Sequence, residues 1–147
     1  MEEKFMKLAL KEAFKASMKD EVPVGAVIVK GEKIIGKAFN KKEHKKCALL
    51  HAEMIAIYKA SKKLKSWNLS GCKIYVTLQP CLMCYGAILS SRIDEIYFGA
   101  YDKKYGLEVE KYEELNIKGF NHKAKVTGGI LEEECGAILT NYFRKKR

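Results

Sequence analysis

The sequence predicts an α/β protein, in which helices pack against a sheet of mixed strand direction. Short apolar runs typical of buried strands alternate along the chain with longer segments of helical periodicity. Strands separated by helices pair in parallel, whereas two early strands joined by a short turn form an antiparallel hairpin at one edge. With 147 residues and 48% hydrophobic content, the chain has the size expected of one domain over residues 1–147.

The first part of the chain is predicted to form a helix, a hairpin and a second helix. Residues 2–18 form the opening amphipathic helix. Strands 25–30 and 33–39 follow, joined by a turn that contains Gly31. A lysine-rich loop leads to a helix over 51–64. The apolar residues at helical spacing in the first helix are Phe5, Leu8, Ala9, Ala13 and Ala16.

The second part continues the alternation of strands and helices. Gln79 and Pro80 form a corner between a strand and a helix, and the proline is expected in the first turn of that helix. The stretch 101–123 is less regular. The predicted elements are, in order, strand 73–78, helix 81–91, strand 95–100, strand 124–130 and helix 131–147.

The charge balance narrows the classes of partner. Lys and Arg number 28 against 18 Asp and Glu, which leaves a net charge of +10. Such a surface favours a polyanion such as nucleic acid, although a lysine-rich soluble surface explains it equally well. The N-terminal sequence lacks a signal-peptide pattern, and no apolar run is long enough to cross a bilayer. Five cysteines, an odd number, indicate reduced thiols, so we expect a cytoplasmic protein.

Cys81 and Cys84 are spaced as i and i+3 at the start of a predicted helix. This spacing places both thiols on one side of the first turn, where unpaired backbone N–H groups stabilise thiolates. The pair alone is compatible with a shared metal ion, a redox couple or two buried small residues.

His51 and Glu53 favour the metal interpretation. They open the helix before the strand that leads to the cysteine corner, so both helix starts are expected at the same edge of the sheet. One His and two Cys supply three zinc ligands and leave the fourth position open, as in catalytic zinc sites. Positions i and i+2 diverge on a continuous helix. His51 and Glu53 can therefore converge only at the helix end, where the carboxylate can serve as general acid and base.

HAE at 51–53 and PCLMC at 80–84 resemble the zinc-dependent nucleoside and nucleobase deaminases. Within that superfamily the sequence is most similar to the bacterial tRNA-specific adenosine deaminases. The similarity extends through DEVPVGAVIV, YVTLQPCLMC, GAILSSRI, FGAYD, FNHK and GGILEEECGAIL. The resemblance implies a three-layer α/β/α cytidine-deaminase-like fold with a five-stranded mixed sheet. It also implies a homodimer that converts the wobble adenosine of a tRNA anticodon loop to inosine, with one zinc ion per chain.

The resemblance assigns roles to individual positions. His51, Cys81 and Cys84 hold zinc, and Glu53 moves protons. Residues that line the nucleotide pocket are Val24, Asn40 and Ala52, and those that lie near the RNA are Asp102, Lys104, Phe143 and Arg144. Four of the substrate-binding positions also have a plain structural interpretation: Asn40 as a strand end, Val24 as a core side chain, Phe143 as a packed anchor and Arg144 as part of a basic terminus.

Three features depart from the family pattern. Gln79 stands where relatives usually carry glutamate, and Leu50 precedes HAE where a small residue is usual. The segment 103–120 replaces a glycine-rich stretch and brings four glutamates into a region expected near RNA: Glu108, Glu110, Glu113 and Glu114.

Two alternative functions stay open, and the altered segment 103–120 supports the first of them. One is a deaminase of free bases or nucleosides on the same fold. The other is a zinc-bearing RNA-binding module without catalysis, which requires a fourth ligand from Cys47 or Cys72.

Overall fold

The structure is a computed structural model that describes residues 2–106 and 121–146. The described chain begins with a helix and continues with a hairpin, followed by alternating helices and strands. In chain order the elements are α1 (Glu2–Met18), β1 (Gly25–Lys30), β2 (Lys33–Phe39), α2 (Ala52–Leu64), β3 (Cys72–Leu78), α3 (Leu82–Ser90), β4 (Glu95–Ala100), β5 (Lys125–Thr127) and α4 (Glu132–Lys145). This order confirms the predicted α/β alternation.

The five strands form one mixed sheet in the order β2-β1-β3-β4-β5. β1 pairs antiparallel with both β2 and β3, whereas β3–β4 and β4–β5 are parallel. The hairpin therefore supplies the antiparallel edge that the sequence predicts. The register aligns Gly25 with Phe39 and Leu78 with Ala100. As a result, the start of β1 and the ends of β2, β3 and β4 all lie at one edge of the sheet.

Helices cover both faces of the sheet. On one face, α2 and α3 pack on alternate strand residues such as Ile28, Ile74 and Phe98. On the other, α1 contributes Phe5 and α4 contributes Cys135 to a second cluster. Alternation of side chains along each strand supplies both clusters, because every interior strand is covered on its two faces. The arrangement is the predicted three-layer α/β/α fold.

Gly25 permits the close contact between α1 and β1. A Cβ at this position would lie 2.0 Å from the Ala9 carbonyl oxygen and 2.6 Å from the Ala13 nitrogen. Both distances are far below van der Waals contact, so only glycine allows the helix backbone to approach the strand this closely. The start of β1, next to Val24, is thereby fixed in position.

Several predicted boundaries differ from the observed ones, and two of these differences have a clear local cause. The strand predicted over 124–130 is only Lys125–Thr127, because Gly128 and Gly129 turn the chain toward α4. Helix α3 begins at Leu82 with Cys81 as its N-cap, so Pro80 precedes the helix and is not part of its first turn. Most of the predicted irregular stretch, with its four glutamates, lies outside the described residues. In the described part of the chain, no helix combines the length and apolar character needed to cross a membrane.

Candidate metal centre and substrate cleft

His51 and Glu53 lie at the N-terminal end of α2. His51 is the N-cap, with an extended backbone (φ −71°, ψ 155°), and its carbonyl oxygen accepts the Ile55 N–H at 3.1 Å. Because His51 itself is not helical, the 200° separation of i and i+2 positions does not apply, and both side chains reach the same site. The predicted convergence at the helix end is therefore confirmed.

Cys81 and Cys84 occupy the equivalent end of α3. Cys81 is its N-cap, also extended, and its carbonyl oxygen accepts the Tyr85 N–H at 2.9 Å. Cys84 lies within the first turn and is fully buried. The N-terminal ends of α2 and α3 therefore both lie at the metal site, and both favour negative charge there.

The His51, Cys81 and Cys84 side chains meet in a geometry suited to zinc. His51 Nδ1 lies 3.4 Å from Cys84 Sγ and 3.8 Å from Cys81 Sγ, and all three ligand atoms lie within 4.8 Å of one another. Tetrahedral zinc with ordinary bond lengths separates a nitrogen and a sulfur ligand by about 3.6 Å. The donor set of one imidazole and two thiols therefore fits a single zinc ion with one coordination position left over.

The metal cluster does not have four protein ligands among the residues that the structure describes. Among the described residues, the only group able to hold a metal is His51 with the two cysteines. Cys72 begins β3 and so lies at the opposite end of the strand from the corner, and Cys47 is not part of the cluster. The arrangement therefore lacks the fourth thiol that a purely structural zinc module requires.

The site shifts the pKa values of its ionisable groups, lowering that of the Cys81 thiol and raising those of the Cys84 thiol and the Glu53 carboxyl. Hydrogen bonds from Cys84 and His51 lower the pKa of the Cys81 thiol to about 4, which favours the thiolate that binds metals. The Glu53 carboxyl is buried, with 4% of its surface exposed. Burial raises its pKa to about 7. A carboxyl group with a pKa near neutrality can both accept and donate protons.

These groups open into a large cleft of about 970 Å³. Of the residues predicted to bind substrate, Val24, Asn40, Ala52, Asp102, Lys104 and Phe143 line it. Arg144 is exposed on α4 beside Phe143 and is not among the lining residues. Residues from four strand ends and three helices thus surround one cavity whose floor carries His51, Glu53 and Cys81.

Asn40 is held in place where β2 ends. Its Nδ2 donates to the Val22 carbonyl oxygen at 3.3 Å, and its Oδ1 accepts the Lys42 N–H at 3.1 Å. The backbone N–H of Asn40 donates to the Val24 carbonyl oxygen at 3.1 Å. The side chain is 8% exposed, so its few accessible atoms face the cleft that it lines.

The loop after β4 is fastened to the cysteine corner through Gln79. Gln79 Oε1 accepts the Asp102 N–H at 3.0 Å, and Asp102 Oδ1 accepts the N–H groups of Lys104 and Tyr105, both at 3.0 Å. A Cβ at Gly106 would lie 2.3 Å from Gln79 Oε1, so glycine permits this close approach. The corner beside Cys81 thereby positions Asp102 and Lys104 on the cleft wall.

The C-terminal helix closes another side of the cleft. Tyr142 donates a hydrogen bond to Asp20 Oδ1 at 3.1 Å, and Lys146 forms an ion pair with the same carboxylate. These contacts tie α4 to the turn that follows α1. Phe143 lies between the two tied residues and projects an aromatic ring, 48% exposed, into the cleft.

Comparison with known proteins decides the family. A model of the MafB19-like deaminase family matches residues 1–147. The chain belongs to this family. The deaminase is 47% identical to the tRNA-specific adenosine deaminase of Bacillus subtilis (strain 168), covering 99% of this chain and 91% of that protein. It is 46% identical to the tRNA-specific adenosine deaminase of Aquifex aeolicus (strain VF5), covering 99% and 95%.

Solved structures agree with the fold of the deaminase. One comes from studies of A-to-I editing by tRNA:A34 deaminases at the wobble position of transfer RNA. It superposes with a TM-score of 0.85 at 38% identity and covers 92% of this chain and 98% of that one. A guanine deaminase from Nitrosomonas europaea has a TM-score of 0.82 at 24% identity, covering 95% and 83%. The latter likeness shows the fold alone.

Some cleft residues of the deaminase escaped sequence reasoning. Lys42, Tyr101 and Tyr105 line the cavity. Lys42 lies two positions after Asn40 and Tyr101 belongs to the FGAYD segment, whereas Tyr105 carried no local signal. Glu21 is 1% exposed and receives contacts from the loop after β2. Glu21 belongs to the DEVPVGAVIV segment, but the sequence does not reveal its partners, which are more than twenty positions away.

Proposed function

We propose that this protein is a zinc-dependent hydrolase that deaminates adenosine to inosine at the wobble position of a tRNA anticodon, with residues 1–147 forming one deaminase domain. One observation carries the proposal: a His-Cys-Cys cluster and a buried glutamate form the floor of a cleft. The chain that builds this cleft is 47% identical to a tRNA-specific adenosine deaminase.

His51, Cys81 and Cys84 would hold the zinc ion, one per chain. When bound, zinc supplies the Lewis acidity that allows a water molecule to lose a proton near neutral pH. The two helix N-termini at Cys81 and Ala52 direct N–H groups toward the same region, which helps to stabilise the thiolates.

Glu53 moves the protons of the reaction. Replacing the amino group at C6 of adenine with oxygen requires a proton to leave water, a proton to reach the adjacent ring nitrogen, and a proton to reach the departing ammonia. A single carboxyl group with a pKa near 7 can perform these transfers in turn as base and acid. Its burial keeps bulk water from competing for them.

The cleft walls select the nucleotide. Asn40 presents a fixed polar edge to the flipped nucleotide, and Val24 with the backbone of Ala52 supplies its apolar lining. Hydrogen bonds at Asn40 to Val22 and Lys42 set its orientation before substrate arrives. Such pre-organisation lowers the cost of ordering the base in the pocket.

The rim of the cleft suits an RNA loop. Lys104, Phe143 and Arg144 offer positive charge and an exposed ring, while Asp102 holds the Lys104 loop in shape through its hydrogen bonds. Bases in an anticodon loop are already partly unstacked, so extracting one costs less than from a duplex. The net charge of +10 favours binding to the phosphate backbone.

The decisive assay uses the purified zinc-loaded protein with bacterial tRNA and, separately, with free bases and nucleosides. Conversion is measured as A-to-G changes in sequencing and as ammonia release. We expect conversion at the wobble adenosine of tRNA. Ammonia release from free bases or nucleosides alone would overturn the tRNA assignment in favour of a free-substrate deaminase. Tight tRNA binding with no turnover would favour a non-catalytic module.

A matched variant tests the proton-transfer role. Glu53→Gln keeps the size of the side chain and leaves the three metal ligands untouched, so zinc content should remain one per chain. Loss of a general acid and base typically costs 10²–10⁴-fold in rate. Zinc is measured by mass spectrometry and turnover by inosine formation. Full activity in the variant would refute the assignment.

The assembly and location of the protein belong to the same proposal. We infer a cytoplasmic homodimer, because tRNA modification takes place in the cytoplasm of bacteria and the sequence resembles homodimeric deaminases. Leu82, 56% exposed on the first turn of α3, and Leu49, 55% exposed before α2, offer apolar surface beside the metal ligands. Light scattering during size-exclusion chromatography measures the mass; a monomer at micromolar concentration would contradict the inference.

A further inference from the structure

A second, smaller pocket of about 290 Å³ lies beside the cleft. It is lined by Lys19, Glu21, Phe39, Lys41, His44 and Lys45. Asn40 and Lys42 line the cleft, whereas Lys41, which stands between them in the sequence, lines the second pocket. The two cavities therefore lie on either side of the same short segment of backbone. Three of the six lining side chains are lysines, although none of them has a role in the reaction.

The only acidic side chain of this basic pocket is already engaged. Glu21 is buried, and its two oxygens accept the N–H groups of Glu43 at 3.0 Å and His44 at 2.7 Å. His44 Nδ1 lies 2.9 Å from the same carboxylate. The carboxylate is therefore used to hold the loop and is not available to pair with the lysines.

The lysines lack anionic partners within the part of the chain that the structure describes. No ion pair there involves Lys19, Lys41 or Lys45. The Lys41 ammonium group instead lies 5.0 Å from the ring centre of Phe39. Burial, followed by the positive charges of Lys59, Lys45 and Lys19, lowers the pKa of Lys41, and the negative charge of Glu12 opposes this only in part. The fold thus collects cations that repel one another, and an anion in the pocket would relieve this repulsion.

Backbone hydrogen bonds hold the loop that carries Lys41 and Lys45. The Lys41 N–H donates to the Leu50 carbonyl oxygen at 3.0 Å and the Lys45 N–H to the Lys41 carbonyl oxygen, also at 3.0 Å. Together with the contacts to Glu21, these bonds fix both ends of the lysine segment relative to the sheet. A pre-organised cationic pocket binds a phosphate at a lower entropic cost than mobile surface lysines do.

We propose that the basic pocket binds a backbone phosphate of the RNA substrate, one that flanks the nucleotide held in the cleft. The inference rests on the proposed function for the identity of the polyanion. Its evidence is nonetheless separate, because the pocket shares no lining residue with the cleft. The pocket would fix the register of the strand, so that one nucleotide only can reach Glu53.

The test compares two charge-matched double variants. Lys41→Gln with Lys45→Gln removes two positive charges from the pocket. Lys30→Gln with Lys33→Gln removes two from the hairpin turn, where strand direction places them at the opposite edge of the sheet. Binding of an RNA hairpin containing an anticodon loop is measured by fluorescence anisotropy from 50 to 300 mM salt. KM for the same hairpin is measured by inosine formation.

The pocket variant should weaken binding about tenfold or more at 100 mM salt and raise KM in parallel. The slope of log K against log salt becomes shallower by about 0.7–0.9 for each phosphate contact that is lost. If both lysines contact the same phosphate, the variant should lose one such step, and if they contact two phosphates, it should lose two. The control variant should change neither slope nor KM. An equal loss in both variants would reduce the effect to net charge and overturn the proposal, as would an unchanged slope in the pocket variant.

A second variant and a comparison of binding with turnover distinguish the remaining outcomes. Lys19→Gln with Lys45→Gln changes only exposed side chains and repeats the test if the half-buried Lys41 position does not tolerate glutamine. Anisotropy does not depend on turnover. If the pocket variant shows the expected slope change in hairpin binding but wild-type protein forms no inosine, the proposed function is refuted and the phosphate site is supported. Inosine formation without a slope change would do the opposite.

Discussion

Glu21→Gln tests whether a buried carboxylate holds the lysine loop. The side chain is 1% exposed and has three donors at 2.7, 2.9 and 3.0 Å. Glutamine retains the shape of the side chain but loses the charge. Its NH₂ group also replaces one of the two accepting oxygens, so it would face a backbone N–H that is itself a donor. Hydrogen bonds to a charged group contribute about 1.5–3 kcal/mol each, and part of that strength is lost with the charge. We therefore expect the variant to be less stable by roughly 2–4 kcal/mol at pH 7.

The pH dependence of this difference has a definite sign. Burial alone would raise the pKa of the Glu21 carboxyl, but the hydrogen bonds from His44 and Glu43 outweigh it and hold the pKa below the ordinary value of 4.5. A carboxyl group whose pKa is depressed in the folded state stabilises the protein fully above its unfolded pKa. That contribution is lost as the pH falls through the folded pKa. The stability gap between wild type and variant should therefore shrink below about pH 4.5.

Urea unfolding at several pH values between 7 and 3.5 measures the gap directly. Glu43→Gln is the matched control, because Glu43 is exposed and contributes to the network only through its backbone N–H. This control should change stability by less than about 0.5 kcal/mol. A gap under 1 kcal/mol at neutral pH, or one that widens in acid, would refute the assigned role of Glu21.

Two other predictions concern packing and the metal. Gly25→Ala should destabilise the protein by about 1–3 kcal/mol or more, since its Cβ would strike the Ala9 carbonyl. At Gly136 an added Cβ would have no described atom within 4 Å, so Gly136→Ala should instead stabilise helix α4 by roughly 0.5–1 kcal/mol. Calorimetry measures the unfolding of both variants. Chelation should remove one zinc ion per chain and lower the melting temperature until zinc is restored, whereas Cys84→Ser should retain well under one zinc ion by elemental analysis.

The sequence was sufficient for the sheet and the metal ligands because both depend on local patterns. The alternation of strands and helices predicted each element to within a few residues of its observed position. Because two helix starts were expected at the same edge of the sheet, His51 was expected near the cysteines, where the structure places it. The divergence of i and i+2 positions predicted that His51 had to lie at the helix end, and the extended N-cap confirms it. The substrate-binding roles of the cleft residues stay predictions.

Long-range polar contacts were not accessible in the same way. Glu21 pairs with a loop more than twenty residues away, and neither periodicity nor composition links the two segments. His44 has no recognisable partner in the sequence either, yet its ring lies 2.9 Å from Glu21. Such contacts depend on how the hairpin and the helices are placed in three dimensions. They were therefore found only in the structure.

Gln79 shows how one departure from the family pattern is accommodated. Its side-chain carbonyl oxygen accepts the Asp102 N–H at 3.0 Å, and an acceptor is all that this contact requires. A glutamate in its place would supply the same oxygen and add a negative charge to the cleft that Cys81 and Glu53 also line. Like charges in one site repel and raise the pKa of neighbouring acids. Glutamine therefore preserves the link between the cysteine corner and the Asp102 loop while sparing the metal site a further negative charge.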